Sequence, residues 1–183
     1  MEGGIHAWKG LVAEGAPNSG MAYFSPATKP EELMALAWFL EDGSRKFYSE
    51  LARMLNDQEA KDLYSQLTKA EEGHQTSLLK LYEEFSGKVS DPGFPGSILP
   101  PGEEGGDVME GGMRVSEALE WAKRKEMVEV LELSLSLETN AYDLYLKMER
   151  RMEDEHSAQI FHALSTEEKQ HLERLNTLLE KRI

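Results

Sequence analysis

Glu168-Lys169-Gln170-His171, set beside its earlier echo Glu71-Glu72-Gly73-His74, decides how this chain is read. Each stretch places a carboxylate and an imidazole three residues apart. On a helix such positions share a face, so each stretch offers one oxygen and one nitrogen to the same cation. Two further acids, Glu41 and Glu138, lie in apolar-periodic segments of their own. The spacing repeats: 30 residues separate Glu41 from Glu71 and Glu138 from Glu168, and 97 separate Glu41 from Glu138, Glu71 from Glu168 and His74 from His171. Tyr48 and Tyr145 also stand 97 apart, each seven residues after its glutamate. The pattern is a duplicated constellation, and the rest of the chain reads as its scaffold.

Composition narrows the setting. With 183 residues, 40% hydrophobic and 30% charged, the chain can build one domain with a sizeable core. No apolar run approaches the roughly 20 residues that a membrane helix needs, and the N-terminus lacks the pattern of a signal peptide. The absence of cysteine excludes disulfides, thiolate metal sites, iron–sulfur clusters and a cysteine nucleophile. It fits a reducing cytoplasm. A formal net charge of -14 repels nucleic-acid phosphate on average.

Taken in order, the chain predicts an all-α fold. Residues 1–27 form an N-terminal arm, with a short apolar helix over Ile5 to Val12 broken by Gly15, Pro17 and Gly20. A first long helix is expected from about Pro30 to Leu55, capped by Thr28, with Leu33, Leu36, Ala37, Leu40, Phe47 and Leu51 on its inner face. Gly43 inside it costs on the order of 1 kcal/mol against alanine, a cost that close packing near a metal would justify. A second helix follows, capped by Asn56 or Asp57 and stopped by Ser86-Gly87. The proline- and glycine-rich stretch of about 86–114 is too long for an ordinary loop. It is read as a crossover along the bundle that lets the second and third long helices run parallel. A short extra helix capped by Ser116 comes next. Long helices over about Glu126–Met152 and Asp154–Arg182 complete a domain of residues 28–183.

Each half thus supplies one glutamate from its first helix and a Glu-x-x-His from its second. Two bridging and two terminal carboxylates with two histidines would hold two metal ions, and carboxylate with imidazole suits iron or manganese. Four carboxylates in an apolar bundle could not all stay ionised without cations. Tyr48 and Tyr145, two turns after their glutamates, are placed either to hydrogen-bond a ligand carboxylate or to act as core tyrosines with satisfied hydroxyls. Tyr142 and Arg45, four residues after proposed ligands, fit the surface equally well. His162 is left out, His6 and His156 are expected in solvent, Glu72 and Glu167 are expected to point outward, and Trp38 and Trp121 to pack.

Glu41, Glu71-x-x-His74, Glu138 and Glu168-x-x-His171, with the paired tyrosines, resemble the ferritin-like superfamily and within it most the rubrerythrins, over about residues 30–182. That resemblance implies a ferritin-like four-helix bundle with a dinuclear 4-Glu/2-His centre. It further implies two iron ions, with manganese or a mixed pair as alternatives. Two departures stand out. Rubrerythrins usually carry an extra glutamate one turn after the ligand of the third long helix, where this chain has Ala141. The cysteine-bound rubredoxin centre of full rubrerythrins is also absent. Separately, Gly3-Gly4-Ile5 with Ala7-Trp8 and Gly10 resembles the last helix of a rhodanese domain, and residues 1–22 are read as its remnant.

The functional expectation is a di-iron oxidoreductase, peroxidase- or ferroxidase-like, that reduces peroxide or dioxygen or oxidises ferrous iron. Electrons would come from an external donor protein or from ferrous iron itself. The alternatives are a metal-binding or storage module working with a rhodanese domain, and a metal-free helical interaction module. A homodimer is expected, because the N-terminal arm and the crossover both carry apolar groups that need cover.

Overall fold

The structure is a computed structural model, and it describes residues 29–87, 93–98 and 107–183. The described residues form five α-helices: α1 (Pro30–Met54), α2 (Gln58–Ser86), α3 (Val115–Ala122), α4 (Met127–Arg151) and α5 (Glu155–Glu180). A 3₁₀ turn at Glu110–Gly112 precedes α3.

Local chemistry explains most of the boundaries. Lys29 caps α1, its amide donating to the Glu32 carboxylate at 3.0 Å, and Pro30 occupies the first helical position. Thr28, the expected cap, lies outside the described residues. Asp57 accepts from the Ala60 amide at 2.9 Å and starts α2, and Gly87 ends it with a φ of 67°. Asp154 opens α5 by accepting from the Ser157 amide at 2.7 Å. Ser116 does not cap α3. It sits inside the first turn, and its amide donates to Asp107 Oδ1 at 3.0 Å. The anchor of that helix is therefore an acid nine residues upstream, in the crossover.

Two apolar clusters hold the long helices together. The first joins Phe47 and Leu51 of α1, Leu63 and Leu67 of α2, Val130 and Leu133 of α4, and Leu175 and Leu178 of α5. The second joins Leu36 and Leu40, Leu78 and Leu81, Leu144 and Met148, and Phe161 and Leu164 of the same four helices. The order in which each helix meets the clusters gives its direction. α2 and α4 run from the first to the second, while α1 and α5 run back. Parallel α2 and α4 require a connection along the whole bundle, and the crossover provides it. Phe94 and Ile98 pack on the second cluster, while Met109 and Met113 are buried in the first. Between the clusters every long helix carries polar residues, and there the site lies.

Gly43 of α1 explains how the crossover seats. A Cβ built at this position would lie 2.1 Å from the carbonyl oxygen of Val108 and 2.8 Å from Cα of Met109. The missing side chain makes room for the crossover backbone. Gly43→Ala is expected to destabilise the metal-free protein by roughly 1–3 kcal/mol, despite a helix-propensity gain of about 1 kcal/mol. Urea unfolding measures this, and an unchanged or raised midpoint would refute the packing role.

Candidate metal centre

Glu41 on α1, Glu71 and His74 on α2, Glu138 on α4, and Glu168 and His171 on α5 are all buried, none more than 3% exposed. Ligand atoms of Glu41, Glu71, His74 and Glu168 lie within 4.8 Å of one another, and so do those of Glu71, Glu138 and His171. The structure therefore brings all six predicted residues into one polar layer, as two overlapping groups.

The distances assign roles within that layer. Nδ1 of His74 is 3.4 Å from Glu41 Oε2, 3.0 Å from Glu71 Oε2 and 3.0 Å from Glu168 Oε1. Nδ1 of His171 is 3.0 Å from Glu138 Oε2, 3.2 Å from Glu168 Oε2 and 4.0 Å from Glu71 Oε1. Glu168 and Glu71 thus turn one oxygen toward each histidine, while Glu41 faces His74 and Glu138 faces His171. Two carboxylates span both compartments and two close them. The imidazole rings stack with centroids 5.5 Å apart.

A single N–H on His74 Nδ1 cannot satisfy three carboxylates. Glu71 Oε2 and Glu168 Oε1, although 3.0 Å from that nitrogen, receive no hydrogen bond of acceptable geometry and have no partner. Buried carboxylate oxygens without donors are costly. Divalent cations would satisfy them, and the oxygen-and-imidazole donor set fits such ions.

Electrostatics give the same account. Burial pushes the Glu41 carboxyl well above the usual range, and the neighbouring Glu71 adds to it. Burial, then Glu168, does the same to Glu138. Burial alone would lower His171, but the Glu138 and Glu168 carboxylates overcome it and push the ring up to about 10. His74 is raised in the same way by Glu41 and Glu168. Burial opposes ionisation of Glu168, yet His74 and His171 hold it below the ordinary range. Without cations, this geometry favours protons at the places that cations would fill.

The tyrosines cross between the halves. Tyr48 donates to Oε1 of Glu138, and Tyr145 donates to Oε1 of Glu41. Each thus fixes the closing glutamate of the other half. Tyr145→Phe is expected to loosen Glu41 and weaken metal binding about tenfold or more. Calorimetric titration with manganese(II) would show it, and an unchanged isotherm would count against it.

Glu167 corrects an expectation. It is half-exposed on α5, yet its Oε2 lies 3.2 Å from His74 Nε2 on α2. A proton held on Nε2 by that carboxylate leaves Nδ1 to offer its lone pair to a cation. Its counterpart 97 residues earlier is Ala70, so this support is supplied at one histidine and not repeated by position at the other. Glu72 is exposed, and His156 and His162 lie at the surface against Glu84 and Glu149. Arg45 bonds Asp42 at 2.8 Å, Tyr142 is half-buried and Trp38 meets Phe94 edge-on.

Sequence reasoning missed Glu110, which the crossover turns into the same layer, 3% exposed. The pairing of an acid with Gly111-Gly112 between two methionines was its only signature.

Comparisons with known proteins extend this picture. The family model described as Rubrerythrin matches residues 32–127 and 129–183. A hypothetical protein from Pyrococcus furiosus of known structure is 22% identical, with a TM-score of 0.67 over 91% of this chain and 95% of that one. At that identity the likeness speaks for the fold. No curated protein matches the chain. None of these comparisons supports the rhodanese reading of residues 1–22, which lie outside the described residues.

Proposed function

Since the chain belongs to the rubrerythrin family, we propose that it is a di-iron protein that reduces peroxide or dioxygen at the Glu41/Glu71/His74/Glu138/Glu168/His171 centre. The observation that carries this reading is the arrangement of Glu71 and Glu168 between the two histidines. On this reading it divides one buried carboxylate layer into two adjoining cation positions.

Bound iron would supply Lewis acidity and reversible one-electron chemistry toward a peroxide or dioxygen substrate. The chain's own residues do the rest. Glu41 with His74, and Glu138 with His171, would hold the outer sides of the two positions. Tyr145 and Tyr48 restrain those glutamates. The apolar clusters on either side keep bulk water out, which strengthens every charge interaction within the layer. No helix among the described residues is long and apolar enough to cross a membrane. The reading places the protein in a reducing cytoplasm as a homodimer, drawing electrons from a separate donor protein.

Anaerobic loading with ferrous iron, followed by stoichiometric hydrogen peroxide, tests the proposal. The expected result is two irons per chain, near-ultraviolet ferric absorption and consumption of the peroxide. Two bound metals with no peroxide consumption would leave a binding or storage module, and no bound metal would overturn the reading altogether.

A further inference from the structure

Glu110 is the buried acid that the six-residue centre does not account for. Neither of its carboxylate oxygens has a hydrogen-bond partner. It lines one small space together with Glu41, Ser44, Glu71, Leu137, Glu138, Ala141 and Glu168, so it faces both bridging and both closing carboxylates. The hydroxyl of Ser44, in the same lining, also lacks a partner. An acid left in that company without a counter-charge is among the most unfavourable arrangements a core can hold.

The chain holds it there by a dedicated device. Val108 and Arg114 form an isolated antiparallel bridge. Inside it the Met109 amide donates to the Met113 carbonyl at 3.0 Å, and the Gly112 amide to the Met109 carbonyl at 3.0 Å. Gly111 and Gly112 take φ values of 76° and 75°, which residues with a Cβ rarely adopt. Buried Met109 and Met113 anchor the loop in the first apolar cluster. Asp107 ties its base to α3 through the Val115 and Ser116 amides. Gly43 opens α1 to receive it. Glu110 stands at the tip, level with the ligand layer. Ala141 of α4 lines the same space and brings no polar group to it.

We propose that Glu110 is a seventh protein ligand, a carboxylate delivered to the metal pair by the crossover hairpin rather than by a bundle helix. The proposal rests on the metal-centre reading above. It makes the crossover part of the site, so the connection between the two halves of the bundle also completes their shared chemistry. Burial and the nearby Glu71 favour the neutral acid while no cation is present. A cation in the space would accept the carboxylate instead.

Manganese(II) titration of the full chain and of its Glu110→Gln variant, followed by electron paramagnetic resonance and calorimetry, tests this. Glutamine keeps the volume and removes the charge. The wild type is expected to bind two ions with an exchange-coupled spectrum. The variant should bind at least one of them about tenfold or more weakly, with an altered coupled signal. Its metal-free melting temperature should equal or exceed that of the wild type, while the rise in melting temperature on metal addition should shrink. Superimposable titrations and spectra would overturn the ligand role. So would a metal-free variant that melts lower yet gains as much from metal, which is the behaviour of a packing residue. If the wild type itself takes up no manganese or iron, it is the metal-centre reading that falls, and this inference with it.

Discussion

Glu168→Ala is expected to empty both metal positions, reducing the bound metal from two ions per chain to none at micromolar free metal. Glu71 also faces both histidines, but stands 4.0 Å from His171, so Glu168 makes the closer approach to the pair. Its Oε1 lies 3.0 Å from His74 Nδ1 and its Oε2 lies 3.2 Å from His171 Nδ1, so one side chain serves both compartments. Loss of an outer hydrogen-bond partner typically weakens a metal site by about 10–100-fold. Loss of a shared ligand should exceed that at two sites at once. Glu41→Ala, by contrast, removes a group that faces His74 alone and should spare the second ion. Equilibrium dialysis with elemental analysis separates the outcomes. Retention of two ions by Glu168→Ala would refute its bridging position. The metal-free variant should also be less stable near neutral pH, because the two raised histidines lose the carboxylate that both of them face.

Raising the pH from about 6.5 to about 10 is expected to destabilise the metal-free protein steadily and the metal-loaded protein much less. An unfolded histidine titrates near 6.5, whereas His171 in the folded chain is held up to about 10. The folded state binds the extra proton between those values. The stabilisation is therefore complete below about 6.5 and lost as the pH climbs through the folded pKa. His74 is shifted in the same direction. Glu41, Glu110 and Glu138, raised by burial, also bind protons more tightly when folded, so their contribution falls as the pH rises above their unfolded range. Glu168 has the opposite sign, but its lowered pKa confines its loss of stability to acid below its ordinary 4.5. Each additional folded-state proton gives a slope of up to about 1.4 kcal/mol per pH unit inside its window. Urea unfolding at pH 6.5, 8 and 9.5, with and without metal, measures the trend. A metal-free stability that stays level or climbs across that range would contradict it. The same linkage makes metal uptake near neutrality release protons.

Much of the architecture was legible because it is duplicated and periodic. The 97-residue repeat placed Glu41, Glu71, His74, Glu138, Glu168 and His171 at matching points of four amphipathic helices, and the structure brings those side chains together. What escaped depends on where neighbouring elements lie. Tyr48 bonds a ligand carboxylate, as expected, but which one could not be read: seven residues of helix span about 10.5 Å, so its hydroxyl meets Glu138 of α4. Glu167 projects from the exposed side of its own helix, yet its length carries the carboxylate across to α2. Glu110 belongs to a segment without periodicity, where only the folded hairpin turns an acid inward. Gly43 was expected to allow close packing near a metal, but that the packing partner is the Val108 backbone of the crossover was not legible.

Glu167 has one more effect. Repetition of the motif would give a cage with a twofold axis, whose chambers a titrant could not tell apart. With a carboxylate at position 167 and a methyl group at position 70, that equivalence is lost. Only His74 gains basicity from this outer acid, so its chamber should fill first. A two-step isotherm is the expected imprint, and Glu167→Ala should narrow the gap between the steps.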